Sequence, residues 1–349
     1  MAHTRHDEKM PDDVEARFLS RKSYAEAFAL IGGKSLGTRN LTALTRVGTA
    51  AAAAGITDPA PTGLDRAQVH KSLINAWSTE VLLALPGQWA DEEDEFIRLA
   101  NTWGVVQAYY VGYHATQALV VAKGMNRPTN HQKTQQQYAT LWADRPLGLS
   151  PWTFGAAHDG WRNLPPGETI DSAIHPWSAC TDQSAWSLVA KALGSTREAA
   201  VKESRSNKRD AGRRARRKVW QDAEDARLEA GKRARPMPPI PRPRLSAVEK
   251  SECNRRVRTY TLLDYFYRLR IGANYDEAAV FTDGPTNDSD STLLHHRVTF
   301  LAAGMSLLAE LRIRDLVGTT RFRSWADTFI GTSIPAGYDV GIAQRRPLL

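Results

Sequence analysis

Between Asp91 and Lys123, apolar and aromatic residues recur at every third or fourth position with no proline to interrupt them. Phe96, Leu99, Trp103, Val106, Tyr110, Tyr113 and Gln117 carry the pattern, which only a long helix can use. Asp91, Glu92, Glu93 and Asp94 open it, where the helix dipole favours negative charge, and Gly124 supplies a stop. The stretch Val105–Ala122 is apolar but holds Gln107, three tyrosines, His114 and Gln117, so it reads as a buried helix and not as a membrane span.

Similar patterns predict helices over Asp65–Leu85 and Thr292–Leu316, with shorter ones at Ser23–Ile31, Leu41–Ala54, Gln132–Trp142, Ser184–Leu193 and Ser246–Arg270. Ala and Leu are abundant and β-branched runs are short, which favours helix over strand. The expected fold is an all-α helical bundle. Residues 1–20 read as frayed, 125–182 as largely irregular, and the tail after Gly331 as irregular. Trp142, Trp152, Trp161 and Trp177 in the irregular segment suit either an interface or a cover for the core.

The chain carries a formal charge of +8, placed very unevenly. Residues 197–250 hold 17 Lys/Arg against 8 Asp/Glu, and the rest holds 29 against 30. From Thr196 to Arg235 large apolar residues almost vanish, so a helix there cannot bury much and must project or bind something. Arg205, Lys208, Arg209, Arg213, Arg216 and Arg217 fall mostly three or four apart, with Arg214 and Lys218 widening the stripe. That pattern predicts cations along one side of a helix, suited to phosphates and sensitive to salt. Five prolines within Pro236–Pro243 predict a stiff, extended spacer. The predicted organisation is an N-terminal helical extension (1–60), the first part of the bundle with the Trp-rich segment (61–196), a basic arm with its spacer (197–245), the second part of the bundle (246–330) and a tail (331–349).

Catalytic and metal signatures are few. Gly32-Gly33-Lys34-Ser35 lacks the leading glycine of a phosphate-binding loop, and neither GxSxG nor HExxH occurs. The nine histidines show no metal-ligand spacing, and the adjacent His295 and His296 point to different sides of their helix. Cys180 and Cys253 form no disulfide framework and no zinc motif. No cofactor is predicted. Met1–Arg21 has no apolar core of the signal-peptide kind, so a cytoplasmic protein is expected, with no membrane partner.

Two segments carry a family resemblance. One is Tyr109-Tyr110-Val111-Gly112-Tyr113-His114-Ala115, with Leu119 four residues on and Pro128-Thr129-Asn130-His131 after Gly124. The other is Leu269-Arg270-Ile271-Gly272-Ala273-Asn274-Tyr275, ahead of the last long helix. Together, over about 65–123 and 246–316, they resemble the HEPN superfamily, helical bundles of prokaryotic defence and toxin systems. The resemblance makes the basic arm an insertion between the halves of the bundle. It also implies a homodimer, and in many members a metal-independent ribonuclease marked by an Arg and a His with four to six residues between them.

No histidine here has that spacing. Arg127…His131 and Arg66…His70 come nearest, with three residues between, and Arg127 with His131 is the candidate catalytic pair. The missing signature weighs toward binding over catalysis. The expected function is therefore a helical protein contacting RNA or DNA backbone through its arm. An endoribonuclease on the same fold and a non-catalytic subunit of a larger nucleoprotein complex are the alternatives.

Overall fold

The computed structural model describes residues 13–33, 41–55, 61, 63–88, 94–276, 278–285 and 287–349. Of these, 71% are helical, so the all-α reading holds. In chain order the helices begin with α1 (Asp13–Gly33), α2 (Leu41–Ala53), α3 (Arg66–Ala84), α4 (Asp94–Ala122) and α5 (His131–Tyr138), which widens into a π turn over Ala139–Ala143. Two short strands follow, β1 (Gly155–Ala157) and β2 (Gly160–Arg162), and then α6 (Ala185–Glu229) and α7 (Ala247–Arg256). The chain closes with β3 (Tyr260–Thr261), α8 (Leu262–Ile271), α9 (Ala278–Thr282), α10 (Asp288–Val317), α11 (Thr319–Ser333) and α12 (Ile342–Arg345).

The centre of the bundle is α4, packed lengthwise against α3 and α10. Small residues let these helices close up. A Cβ at Gly112 of α4 would lie 2.6 Å from Met305 Cε of α10, and one at Gly304 would collide with the Trp152 indole. Trp152 donates from Nε1 to the Leu301 carbonyl at 3.0 Å, and Trp142 and Trp152 are both buried. Two of the four tryptophans of the irregular segment therefore belong to the core. Trp161 stacks on Phe154, and the exposed Trp177 on His175.

The structure departs from the sequence expectations in several parts of the bundle. α1 starts at Asp13, where frayed chain was expected, because Phe18, Ala25 and Phe28 are buried in the core. β1 pairs antiparallel with both β2 and β3, a sheet of order β2-β1-β3. Strands of two or three residues carry no readable alternation, and β3 breaks the helix expected over Ser246–Arg270. The segment after Gly331 is not an irregular tail. α11 runs on to Ser333, α12 follows, and Val340, Ile342, Arg345 and Leu349 are fully or almost fully buried. Finally, Phe96, Leu99 and Trp103 are exposed, Trp103 at 65%, because the first turns of α4 direct their apolar stripe outward.

A buried ionic triad fastens the C-terminus. Arg345 is fully buried and donates from Nη2 to Glu80 Oε2 at 2.7 Å and to Glu310 Oε1 at 2.7 Å, with a third bond from Nε to Glu310 Oε2 at 3.0 Å. Trp77 Nε1 and Ser306 Oγ also donate to Glu310 Oε1, at 2.8 and 2.9 Å. Burial drives the Glu80 carboxyl above its ordinary value against the opposing pull of Arg345.

Candidate functional site

Helix α6 creates the first part of the site. Its 45 residues span roughly 67 Å, more than the bundle can cover. The helix does not stop near Leu193, as its sequence suggests. Gly194 sits inside it because a Cβ there would come within 3.2 Å of the Trp161 ring. Up to Val201 the helix is anchored: Arg197 is buried and donates to Asn254 Oδ1 and the Asn254 carbonyl at 2.7 Å each, and to the Val257 carbonyl at 3.1 Å. Beyond Val201, Glu224 is the one buried residue of the helix.

The proline-rich segment does not act as a spacer between two bodies. After Gly231, at φ +73°, the chain runs back along α6. Pro243 lies over Gly212, where a Cβ would stand 2.8 Å from Pro243 Cγ. Arg242 Nε pairs with Asp210 Oδ1 at 2.8 Å. Glu224 accepts from the Arg235 backbone N–H at 2.7 Å and from Arg235 Nε at 2.8 Å, and these bonds hold its carboxyl below the ordinary range. The arm is thus a hairpin of one helix and one extended limb, and the Ser246–Glu249 capping box starts α7 at its foot.

The hairpin is strongly basic. Residues 205–244 hold 14 Lys/Arg against 5 Asp/Glu. Arg213, Arg214, Arg216, Arg217 and Lys218 are all exposed, and none pairs with a carboxylate among the described residues. The cations do not form the single stripe that was expected. From Lys208 to Lys218 they spread over about 280° of the helix circumference at 100° per residue. Arg205 and Lys208 line different clefts at the root of the arm, and Arg209 is half-buried between root and tip.

The second part of the site is an aromatic and cationic cluster where α4, α5 and α8 meet. Asn130 caps α5, its side chain accepting from the Lys133 N–H at 2.8 Å, and this places His131 at the first turn. Tyr109 Oη and His131 Nδ1 lie 2.8 Å apart. The His131 ring is also 5.1 Å from Tyr113 and 5.7 Å from Tyr267, centroid to centroid. Arg270 of α8 lies over the rings of Tyr110, Tyr109 and Tyr267 at 5.3, 5.7 and 5.8 Å.

The electrostatics follow from this packing. Burial and the Arg270 charge hold His131 below its ordinary value, so its imidazole is neutral at pH 7. Burial raises the Tyr109 phenol, which keeps its proton and fixes the His131 ring through Nδ1. A neutral imidazole beside a guanidinium can accept a proton near an anionic group.

Arg127 and His131 are not brought together. Arg127 donates from Nε and Nη2 to Gln117 Oε1 at 3.0 and 2.8 Å, while Gln117 Nε2 donates to the Pro128 carbonyl at 3.0 Å. Arg127 therefore staples the loop after Gly124, and its charge acts on His114, which burial and Arg127 push down to about 4. The cation beside His131 is Arg270, a position that a search for short Arg–His spacings in the chain does not reach. Its sequence signal is Tyr267 and Arg270, three apart on one helix face.

Cys180 and Cys253 are free thiols. Among the described residues no group of His, Cys, Asp and Glu could hold a metal, and no helix is long and apolar enough to cross a membrane. No protein-family model, curated protein or solved structure matches this chain, so its functional reading rests on its own residues and geometry.

Proposed function

We propose that this chain binds nucleic acid, gripping the sugar–phosphate backbone with its basic hairpin in a prokaryotic defence or toxin setting of the HEPN type. The observation that carries the reading is the run of five exposed cations, Arg213, Arg214, Arg216, Arg217 and Lys218, free of carboxylate partners among the described residues. An unneutralised cluster of like charge is unfavourable to keep unless an anion meets it, and a polyphosphate chain does so with release of counterions. Arginine outnumbers lysine there, which suits phosphate oxygens. Cations around most of the helix favour contact along a backbone over reading of base edges.

The test is a shortened chain. Gly212 and Pro243 touch, so joining them directly removes 213–242 without disturbing Arg197 or Val201. The shortened protein should keep the melting temperature of the full chain and lose binding to labelled RNA and DNA. Full binding by the shortened, folded protein would overturn the reading.

A second reading is favoured by the His131–Tyr109–Arg270 cluster. In it the chain is an endoribonuclease. With its Nδ1–H donated to Tyr109 Oη and its Nε2 free, neutral His131 takes the proton of a 2′-hydroxyl at Nε2, the 2′-oxygen bonds to the adjacent phosphorus as the bond to the 5′-oxygen breaks, and the 5′-oxygen leaves with a proton taken from water. Arg270 stabilises the phosphoryl charge. The products are a 2′,3′-cyclic phosphate and a 5′-hydroxyl end. His131→Ala and Arg270→Gln should each remove such products, and cleavage that survives both changes would refute the assignment.

A further inference from the structure

The foot of the arm opens into a cleft of about 720 Å³ between the first turns of α5, the middle of α6 and the α7–β3 turn. Lys208 and Arg256 bring two positive charges to its lining and Glu203 one negative charge. Tyr260 and Tyr267 supply rings. Tyr267 belongs also to the His131 cluster, 5.4 Å from the Tyr109 ring, so the cleft ends at that cluster.

Gln135 makes this more than a surface hollow. It lines the cleft and is 4% exposed. Its Oε1 accepts from Arg258 Nη2 at 2.9 Å. A guanidinium only donates, so this bond fixes which end of the amide is oxygen and which is nitrogen. The Nε2 group is left buried with no acceptor among the described residues. A buried amide donor without a partner is costly, and a ligand oxygen in the cleft would satisfy it. Arg258 itself is committed, forked onto Asp264 and lying 4.6 Å over the Tyr260 ring.

We infer that this cleft seats an unpaired stretch of nucleic acid, with phosphate on Lys208 and Arg256, a base or sugar oxygen on Gln135 Nε2, and a base against Tyr267. The inference rests on the nucleic-acid reading of the arm and adds strand selectivity to it. A cavity of this volume is in the range that holds a drug-sized ligand, which corresponds to about one or two nucleotides and excludes two paired strands. An aromatic wall, a cation and an amide donor are the groups by which single strands are held. The arm then collects the strand and the cleft receives its unpaired part.

The experiment measures fluorescence anisotropy of the full-length chain with labelled 12-nucleotide oligouridine RNA, oligothymidine DNA and a 12-base-pair RNA duplex at one salt concentration. The wild type should bind at least one single strand about tenfold more tightly than the duplex. Tyr267→Ala and, separately, Gln135→Leu should weaken single-strand binding by roughly five- to a hundredfold, the range for removing one base-stacking interaction, and leave duplex binding within about twofold. Lys208→Ala, an exchange that leaves the bundle core untouched, guards against a folding defect in the other two and should also lower single-strand affinity. A loss on either strand upholds the cleft, and the strand affected identifies the sugar. The arm variant Arg213→Gln/Arg214→Gln/Arg216→Gln/Arg217→Gln separates the two claims. If it binds everything as the wild type does, the arm reading fails. If it loses binding while the cleft variants keep the wild-type ratio of single strand to duplex, or if the wild type shows no preference, the cleft inference fails and the arm reading stands.

Discussion

Helix α6 passes from one physical regime to another along its own axis. In its first turns Trp186, Leu188, Val189, Ala192 and Leu193 are buried against the bundle. Past Val201 the same helix buries Glu224 alone and is held by Arg235, Arg242 and Pro243 of its return limb. The first half is stabilised by removing apolar surface from water, at about 25 cal/mol per Å². The second is held by exposed or half-exposed ion pairs, which contribute little each and are screened by salt. The contrast teaches that the bundle does not depend on the arm, so the arm's sequence is free to serve a partner.

Predictions that attack this division start with the bundle. Arg345→Met leaves Glu80 and Glu310 buried side by side without their cation, and should cost about 3–5 kcal/mol in urea unfolding. A loss below about 1 kcal/mol would mean that the C-terminal segment is not the fastening the triad implies.

Acid should attack the bundle next. His295 is buried, 3.3 Å from Asn101 Oδ1, and burial together with His296 pushes it down to about 3. The unfolded chain takes a proton on this ring below about pH 6.5, and the folded chain refuses it until near pH 3. The contribution is therefore complete above pH 6.5 and is lost as pH falls. Between pH 7 and pH 5 the wild type should lose about 2 kcal/mol more stability than His295→Gln. Equal losses would show that the ring is not buried in its neutral form.

The smallest effect should be confined to the arm. Glu224→Gln removes the acceptor charge that holds Arg235 and so loosens the hairpin. Amide exchange over 215–229 should accelerate while the melting temperature of the bundle stays constant. A lowered melting temperature would show that arm and bundle are coupled, against the division drawn from α6.

Much of the bundle is legible in the sequence where local signals agree with tertiary packing. Asp65 caps α3 through the Gln68 N–H at 3.0 Å, and Gly124 ends α4 at φ +74°. The acidic opening predicted at Asp91–Glu93 lies outside the described residues. The misses arise where distant partners decide. Gly194 looks like a helix end until Trp161 packs against it. Arg345 and Arg346 look like a polar tail, yet Glu80 and Glu310, 265 and 35 positions away, draw Arg345 inside. At the candidate site His131 stands out in the sequence, but Arg270 comes to it from the far half of the chain. The exposure of the arm cations follows from composition alone. Their spread around the helix follows from their spacing at 100° per residue, and the return of the proline limb over Gly212 follows from the fold.

The most direct test of the central claim is the salt dependence of binding, measured as the slope of log affinity against log salt for the wild type and for Arg213→Gln/Arg214→Gln/Arg216→Gln/Arg217→Gln. If these cations meet phosphates, the wild type has a steep negative slope and the variant's is shallower by roughly 3, since each phosphate no longer neutralised removes about 0.7–0.9 from it. Identical slopes would contradict the account and leave the arm a surface for something other than nucleic acid.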